Sequence, residues 1–79
     1  MHESELQRAI LHGLLPWRWL PETDLLRRLA PAQVVRYRRE VVEGLAAAGL
    51  VTLRQVGDER VIALTDEGQR AAAAQDHRL

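Results

Sequence analysis

The second half of this 79-residue sequence constrains the fold most, because it contains an unambiguous β-hairpin pattern. Two runs rich in Val, Leu, Ile and Thr occupy residues 50–56 and 60–65, with Gly57-Asp58 in the turn between them. A one-residue slip would move every apolar side chain to the other face of the hairpin, so the apolar pattern selects one register. The predicted register pairs Leu53 with Ile62 and Val51 with Leu64.

Helices are predicted on both sides of this hairpin. A long third helix over residues 32–48 ends at Gly49, which suits a left-handed helix end. A short C-terminal helix over residues 66–75 begins after Thr65, whose hydroxyl is a suitable cap. Beyond this helix, the tail over residues 75–79 is expected to fray.

The first part of the chain alternates helical and extended patterns. Ser4, followed three residues later by Gln7, has the spacing of a capping box and predicts the start of a helix. Prolines bound a short aromatic segment, which favours an edge strand, and another proline ends the second helix. The predicted bounds are residues 5–15 for the first helix, 17–20 for the strand and 22–30 for the second helix.

Composition restricts the classes of protein that are compatible with this pattern. The length supports one domain over residues 1–79, and the absence of Cys excludes disulfides, thiolate metal sites and a cysteine nucleophile. The chain has no apolar run near the ~18–20 residues of a membrane span and no basic, apolar leader. We therefore expect a cytoplasmic protein.

The order helix, strand, helix, helix, hairpin, helix is that of a winged helix-turn-helix domain. Residues 45–51, LAAAGLV, resemble the L-x-x-x-G-L-V end of a recognition helix, and residues 64–68, LTDEG, resemble the L-T-x-x-G that closes the wing in bacterial MarR- and PadR-type regulators. The resemblance covers residues 5–75. It implies a mainly α fold with a small β-hairpin (α+β): a three-helix core, a two-stranded wing over residues 50–65 and a short C-terminal helix.

The same resemblance implies DNA binding by a transcriptional regulator, and the charge distribution agrees with it. The formal net charge is zero, yet residues 25–39 contain five Arg and no acidic residue. In such domains the start of the third helix enters the major groove. The candidate contacts are Gln33, Arg36 and Arg39 to bases, Arg27, Arg28 and Arg38 to phosphates, and Arg54 and Arg60 from the wing.

Other interpretations of these residues remain open. Arg36 with Glu40 and Arg39 with Glu43 have the spacing of ordinary surface ion pairs, and an acidic wing tip favours a winged-helix module that binds protein instead of DNA. A regular helix would place Arg38 among apolar side chains such as Tyr37, so either the helix starts irregularly or Arg38 extends past the core. Trp17 and Trp19 either brace the core or form a partner surface.

Surplus apolar surface predicts a homodimer, whose candidate interface is Leu11 and Leu15 with Ala71 and Ala74. Catalysis and metal binding are not expected. His2, His12 and His77 lack partners at metal-ligand spacing, Ser4 is the only serine, and no glycine-rich phosphate loop is present. No cofactor is predicted.

Overall fold

The computed structural model describes residues 3–75, as five helices and a three-stranded antiparallel sheet. This arrangement confirms the expected α+β fold, in which helices dominate. The elements are α1 (Glu3–Leu14), β1 (Trp19–Pro21), α2 (Glu22–Arg27), α3 (Pro31–Arg36), α4 (Arg39–Ala47), β2 (Val51–Val56), β3 (Glu59–Leu64) and α5 (Asp66–Gln75).

The sheet has the order β1-β3-β2, so the short first strand pairs with the far strand of the hairpin. The hairpin has the predicted register, with Leu53 opposite Ile62 and Val51 opposite Leu64. Its apolar face covers the helices, and Ile62 is completely buried.

A single core joins this sheet face to α1, α2 and α4. Helical spacing places one apolar stripe of each helix inward, and each buried Leu or Ile contributes roughly 1.5–3 kcal/mol relative to an exposed one. α5 adds Ala72, which is fully buried. The buried side chains from the three core helices are Leu6, Ile10, Leu11, Leu14, Leu25, Val41, Val42 and Leu45.

Two short motifs fix the ends of the hairpin. Gly49 has a φ of +81°, as expected for the left-handed residue after a helix. Thr65 Oγ1 accepts a hydrogen bond from Gly68 N at 3.0 Å and donates one to Gly49 O at 2.6 Å. A Cβ on Gly68 would lie 1.9 Å from Leu50 O, so only glycine allows this approach of α5 to the hairpin.

Four predicted elements differ from the structure, and one of them is the strand predicted over residues 17–20, which is β1 at Trp19–Pro21. α1 begins at Glu3, so Ser4 lies inside the helix and the predicted capping box does not form; Gln7 Nε2 instead donates to Val41 O at 3.4 Å. The second helix ends at Arg27, earlier than predicted. The third helix is divided into α3 and α4. The predicted fraying concerns mainly residues 76–79, which lie outside the described residues.

Candidate nucleic-acid interface

α3 is a separate six-residue helix with all of its residues on the surface. Pro31 occupies its first turn, and Gln33 Oε1 accepts a hydrogen bond from Ala30 N at 2.7 Å, which ties the helix start. Gln33 is thus a helix-terminal polar group. Val34 and Val35 are 39% and 75% exposed, so neither belongs to the core.

The break between α3 and α4 lies at Tyr37 and Arg38, whose backbones are both extended. Tyr37 is half-buried, and its hydroxyl donates a hydrogen bond to Glu22 Oε2. Drawing Tyr37 inward at this point ends the helical phase, and Arg38 then points to solvent. The irregular helix start explains why Arg38 did not fit the regular helical pattern.

Three of the predicted DNA contacts lie together around this break. Arg36 and Arg38 are exposed, and neither forms an ion pair with any residue that the structure describes. Arg39 remains 70% exposed, and its nearest carboxylate oxygen, on Glu43, is 4.0 Å away. An ion pair at that distance and exposure holds the guanidinium weakly. The cluster is therefore open to an anionic partner.

The two arginines at the end of α2 are in different situations. Arg27 Nη1 lies 3.8 Å from Asp24 Oδ1 and is largely exposed. The guanidinium carbon of Arg28 stands 4.7 Å from the centre of the Trp17 ring, a cation–π contact. Stacking holds the position of Arg28 while its N–H groups remain at the surface.

Arg60 is not a wing contact, contrary to the sequence prediction. Arg60 lies near the hairpin turn, opposite Gln55. Its side chain is only 10% exposed, with Nη2 2.9 Å from Glu22 Oε2 and Nη1 3.9 Å from Glu43 Oε2. Arg60 Nε is buried without a hydrogen-bond partner in the part of the chain that the structure describes. We call Glu22, Tyr37, Glu43 and Arg60 the clamp, because they join α2, the α3–α4 break and α4 to β3.

The clamp shifts the pKa values of its members. Burial raises the pKa of Glu22, but hydrogen bonds from Tyr37 and Arg60 and the charge of Arg60 outweigh it and hold this pKa below 4.5. Burial, together with the neighbouring Glu22 carboxylate, raises the pKa of Tyr37 above its ordinary value. Burial lowers the pKa of Arg60, but the hydrogen bonds and charges of Glu22 and Tyr37 together outweigh burial and raise this pKa. Glu22 is thus ionised and Tyr37 neutral at pH 7.

A second contact ties the wing to α2. Glu59 Oε1 accepts hydrogen bonds from Thr23 N at 3.1 Å and Thr23 Oγ1 at 2.7 Å, and these bonds lower the pKa of Glu59. Asp58 is exposed at the tip. Of the two wing arginines predicted, Arg54 alone is exposed. The wing therefore presents both charges to solvent.

Trp17 and Trp19 do not brace the core, since they are 53% and 56% exposed. Between them Arg18 has a left-handed φ of 69°, and it is held by hydrogen bonds from Arg18 N to Leu14 O and from Leu64 N to Arg18 O, both 2.7 Å. A left-handed backbone is unfavourable for a residue with a Cβ. Nearby packing therefore maintains a backbone that leaves both indoles outside.

The residues predicted as a dimer interface are mostly used within the chain. Leu11 is 3% exposed and belongs to the core, which contradicts its proposed role. Leu15 and Ala71 are half-buried against the same core, and only Ala74 is exposed. α1 and α5 pack against each other, and this contact accounts for the surplus apolar surface that suggested a partner subunit.

No group of three His, Asp or Glu side chains suited to a metal ion occurs within the described part of the chain. His2 and His77 lie outside that part. Among the helices over residues 3–75, none is long and apolar enough to cross a membrane.

The clamp escaped sequence reasoning because its acids lie far from Arg60 along the chain. Glu22 is 38 positions away. The available signal was local: Arg38 interrupts the apolar pattern of the third helix, which indicates an irregular turn at that point.

Comparison with known proteins places this geometry in a family. The family described as the DUF6293 C-terminal winged helix domain matches residues 28–76, which is more than half of the chain. This match confirms the expected winged helix and does not extend to MarR or PadR regulators in particular. No curated protein and no solved structure matches the chain.

Proposed function

The chain belongs to the family of DUF6293 C-terminal winged helix domains, and from this premise we propose that it binds double-stranded DNA as a transcriptional regulator. In winged-helix domains the helical segment before the wing enters the major groove. Here that segment is α3 with the start of α4. The function we propose for the chain is binding, without catalysis.

The observation that carries the proposal is the exposed arginine cluster at the α3–α4 break, which consists of Arg36, Arg38 and Arg39. Arg36 and Arg38 have no carboxylate partner within the described residues, and Arg39 has a distant one. Unpaired guanidiniums lose little on meeting phosphates, because no existing ion pair has to break. Of the two ion pairs in the alternative interpretation, Arg36–Glu40 is absent among the described residues, and Arg39–Glu43 is present at 4.0 Å between exposed side chains.

The roles within the cluster follow from position and chemistry. We assign Arg36 and Arg39 to base edges, where the planar fork of arginine suits guanine. Arg38 lies in the extended backbone between them and is assigned, with Arg27 and Arg28, to phosphates. Arg54 is the remaining wing candidate. Gln33 contributes mainly by fixing the start of α3.

Fluorescence anisotropy with a labelled mixed-sequence duplex, at about 50 and 200 mM salt, tests the proposal. We expect the affinity to fall steeply with salt and to drop at least tenfold in the Arg36→Ala/Arg39→Ala variant. Arg70→Ala is the matched control, since Arg70 is an exposed arginine on α5 that is paired with Glu67 at 2.9 Å. Equal binding by the double variant and the control would reject this assignment of the interface.

The exposed indoles support a second candidate, a module that binds a partner protein through Trp17 and Trp19. Trp and Arg are enriched at the energetic centres of protein interfaces, and Arg28 already stacks on Trp17. This candidate predicts no duplex binding at low salt and loss of partner binding in Trp17→Ala/Trp19→Ala. On the DNA proposal Trp19→Ala alone retains duplex affinity within about threefold, because Trp19 neither holds Arg28 nor belongs to the reading segment, α3 with the start of α4.

A homodimer on two half-sites remains a prediction, since paired half-sites multiply specificity. Leu11 is excluded from its interface by burial. Sedimentation velocity of the protein with a two-half-site duplex tests it, and a complex containing one protein molecule would contradict it.

A further inference from the structure

A groove of about 610 Å³ lies between α1 and the turn that joins α2 to α3. Arg8 lines it from α1, while Arg28 and Gln33 line it from the opposite side, and Leu29 contributes apolar surface. The groove therefore brings Arg8 of the first helix close to Arg28, although these two arginines are 20 positions apart in the sequence.

Both arginines have hydrogen-bonding capacity to spare. Arg8 is exposed and forms neither a hydrogen bond nor an ion pair with the residues that the structure describes. The face of the Arg28 guanidinium stacks on Trp17. Its in-plane N–H donors form no hydrogen bond with the residues that the structure describes. Two positioned guanidiniums with vacant donors favour a group that has several acceptor oxygens.

The charge at the groove has the corresponding sign. Glu5 is the carboxylate among the lining residues, so the two arginines leave the groove positive. Neither Glu5 nor any other described carboxylate is within ion-pair distance of Arg8 or Arg28. An incoming anion therefore meets two guanidiniums that form no ion pair with a carboxylate of the described residues.

We infer that this groove binds a phosphate group, held between Arg8 and Arg28. One source of this phosphate is the backbone of duplex DNA, and for that source the inference rests on the proposed function. Arg8 is then a DNA contact outside the arginine-rich residues 25–39. It anchors α1 to the duplex beside α3. A free phosphate-bearing molecule is the other source with the same chemistry.

The test combines two measurements on the full chain. Duplex affinity is measured by anisotropy between about 50 and 200 mM salt for the wild type, Arg8→Gln and the control Arg70→Gln. Inorganic phosphate is titrated into 15N-labelled wild type and Arg8→Gln, and the backbone amides of the groove are followed by NMR. Loss of one phosphate contact makes the salt slope of Arg8→Gln shallower by about one unit and lowers affinity several-fold, while Arg70→Gln behaves as wild type.

Each outcome decides the inference. A shallower slope in Arg8→Gln alone supports the groove with DNA as its source. Unchanged slopes, together with phosphate-dependent shifts of groove amides in the wild type and not in Arg8→Gln, support a phosphate site filled by a free anion. Unchanged slopes without phosphate-dependent shifts overturn it while the proposed function stands. If the wild type binds no duplex, the proposed function fails and the phosphate titration alone decides the groove.

Discussion

Arg36 and Arg60 are both predicted from the sequence to contact DNA, yet the structure places them in opposite environments. Arg60 is 10% exposed and lies 2.9 Å from a carboxylate oxygen of Glu22, inside the clamp. Arg36 is exposed at the end of α3, with no ion pair among the residues that the structure describes. Carboxylates distant in the sequence therefore decide whether an arginine side chain is available to a ligand.

The surroundings of the two arginines differ in the same way. The clamp joins three helical segments to β3 and has its polar groups largely satisfied, so it stabilises the position of the wing. α3 has no buried side chain and exposes Val35. A surface element with little role in packing can change its side chains at small cost in stability, which suits a segment that reads DNA.

The largest effect is expected from Arg60→Met, which removes the cation of the clamp. Glu22 and the Tyr37 hydroxyl then lose a buried partner, and we expect the free energy of unfolding to fall by about 3 kcal/mol. Urea denaturation followed by circular dichroism measures this. Arg36→Met is the matched control, and its expected change is below about 0.5 kcal/mol. Equal losses in the two variants would abolish the distinction between the regions.

A smaller loss is expected from Tyr37→Phe. The substitution keeps the ring and removes only the hydroxyl that donates to Glu22, so a hydrogen bond to a charged group is lost. We expect about 1–2 kcal/mol of destabilisation by the same measurement. A neutral result would show that the hydroxyl does not contribute to the clamp.

The acid dependence of stability tests the role of Glu22 in the clamp. Its pKa in the folded protein lies below the ordinary 4.5, so its contribution is present above that pH and is lost as the pH falls through the folded value. Glu22→Gln is therefore expected to be less stable at pH 7 and to lose less stability on acidification below pH 4.5. An unchanged acid profile in thermal melts would contradict the ionised clamp.

The smallest effect on stability is expected from Glu43→Gln. Unlike the arginine substitutions, this variant is expected to bind duplex DNA more tightly. Glu43 is 52% exposed and lies 4.0 Å from Arg39 and 3.9 Å from Arg60, so its removal changes stability by less than about 0.5 kcal/mol. It also removes a carboxylate beside the reading segment, and we expect duplex affinity to rise about twofold. A fall in affinity, measured by anisotropy at low salt, would contradict an open Arg39.

The sequence predicted the elements that depend on local chemistry. The hairpin register, the left-handed Gly49 and the Thr65 cap follow from neighbouring residues, and all three are confirmed. The arginine cluster was also found, because its freedom from acids is a property of one continuous segment.

What the sequence missed depends on contacts between distant residues. The break at Tyr37 arises because Glu22, 15 positions earlier, draws the hydroxyl inward. Burial of Arg60 depends on the same carboxylate, and burial of Leu11 on its packing into the core shared with α5. The periodicity of a helix does not contain this information, so a single long helix was predicted.

The most direct test of the account follows each arginine separately. Spectra of the Nε–H groups of 15N-labelled arginines, recorded as a DNA duplex is added at low salt, report contacts side chain by side chain. We expect saturable shifts for Arg36, Arg38 and Arg39 and no shift for Arg60, which stays in the clamp. Shifts at Arg60 with none at Arg36, Arg38 and Arg39 would contradict it, as would a duplex that leaves every arginine unchanged.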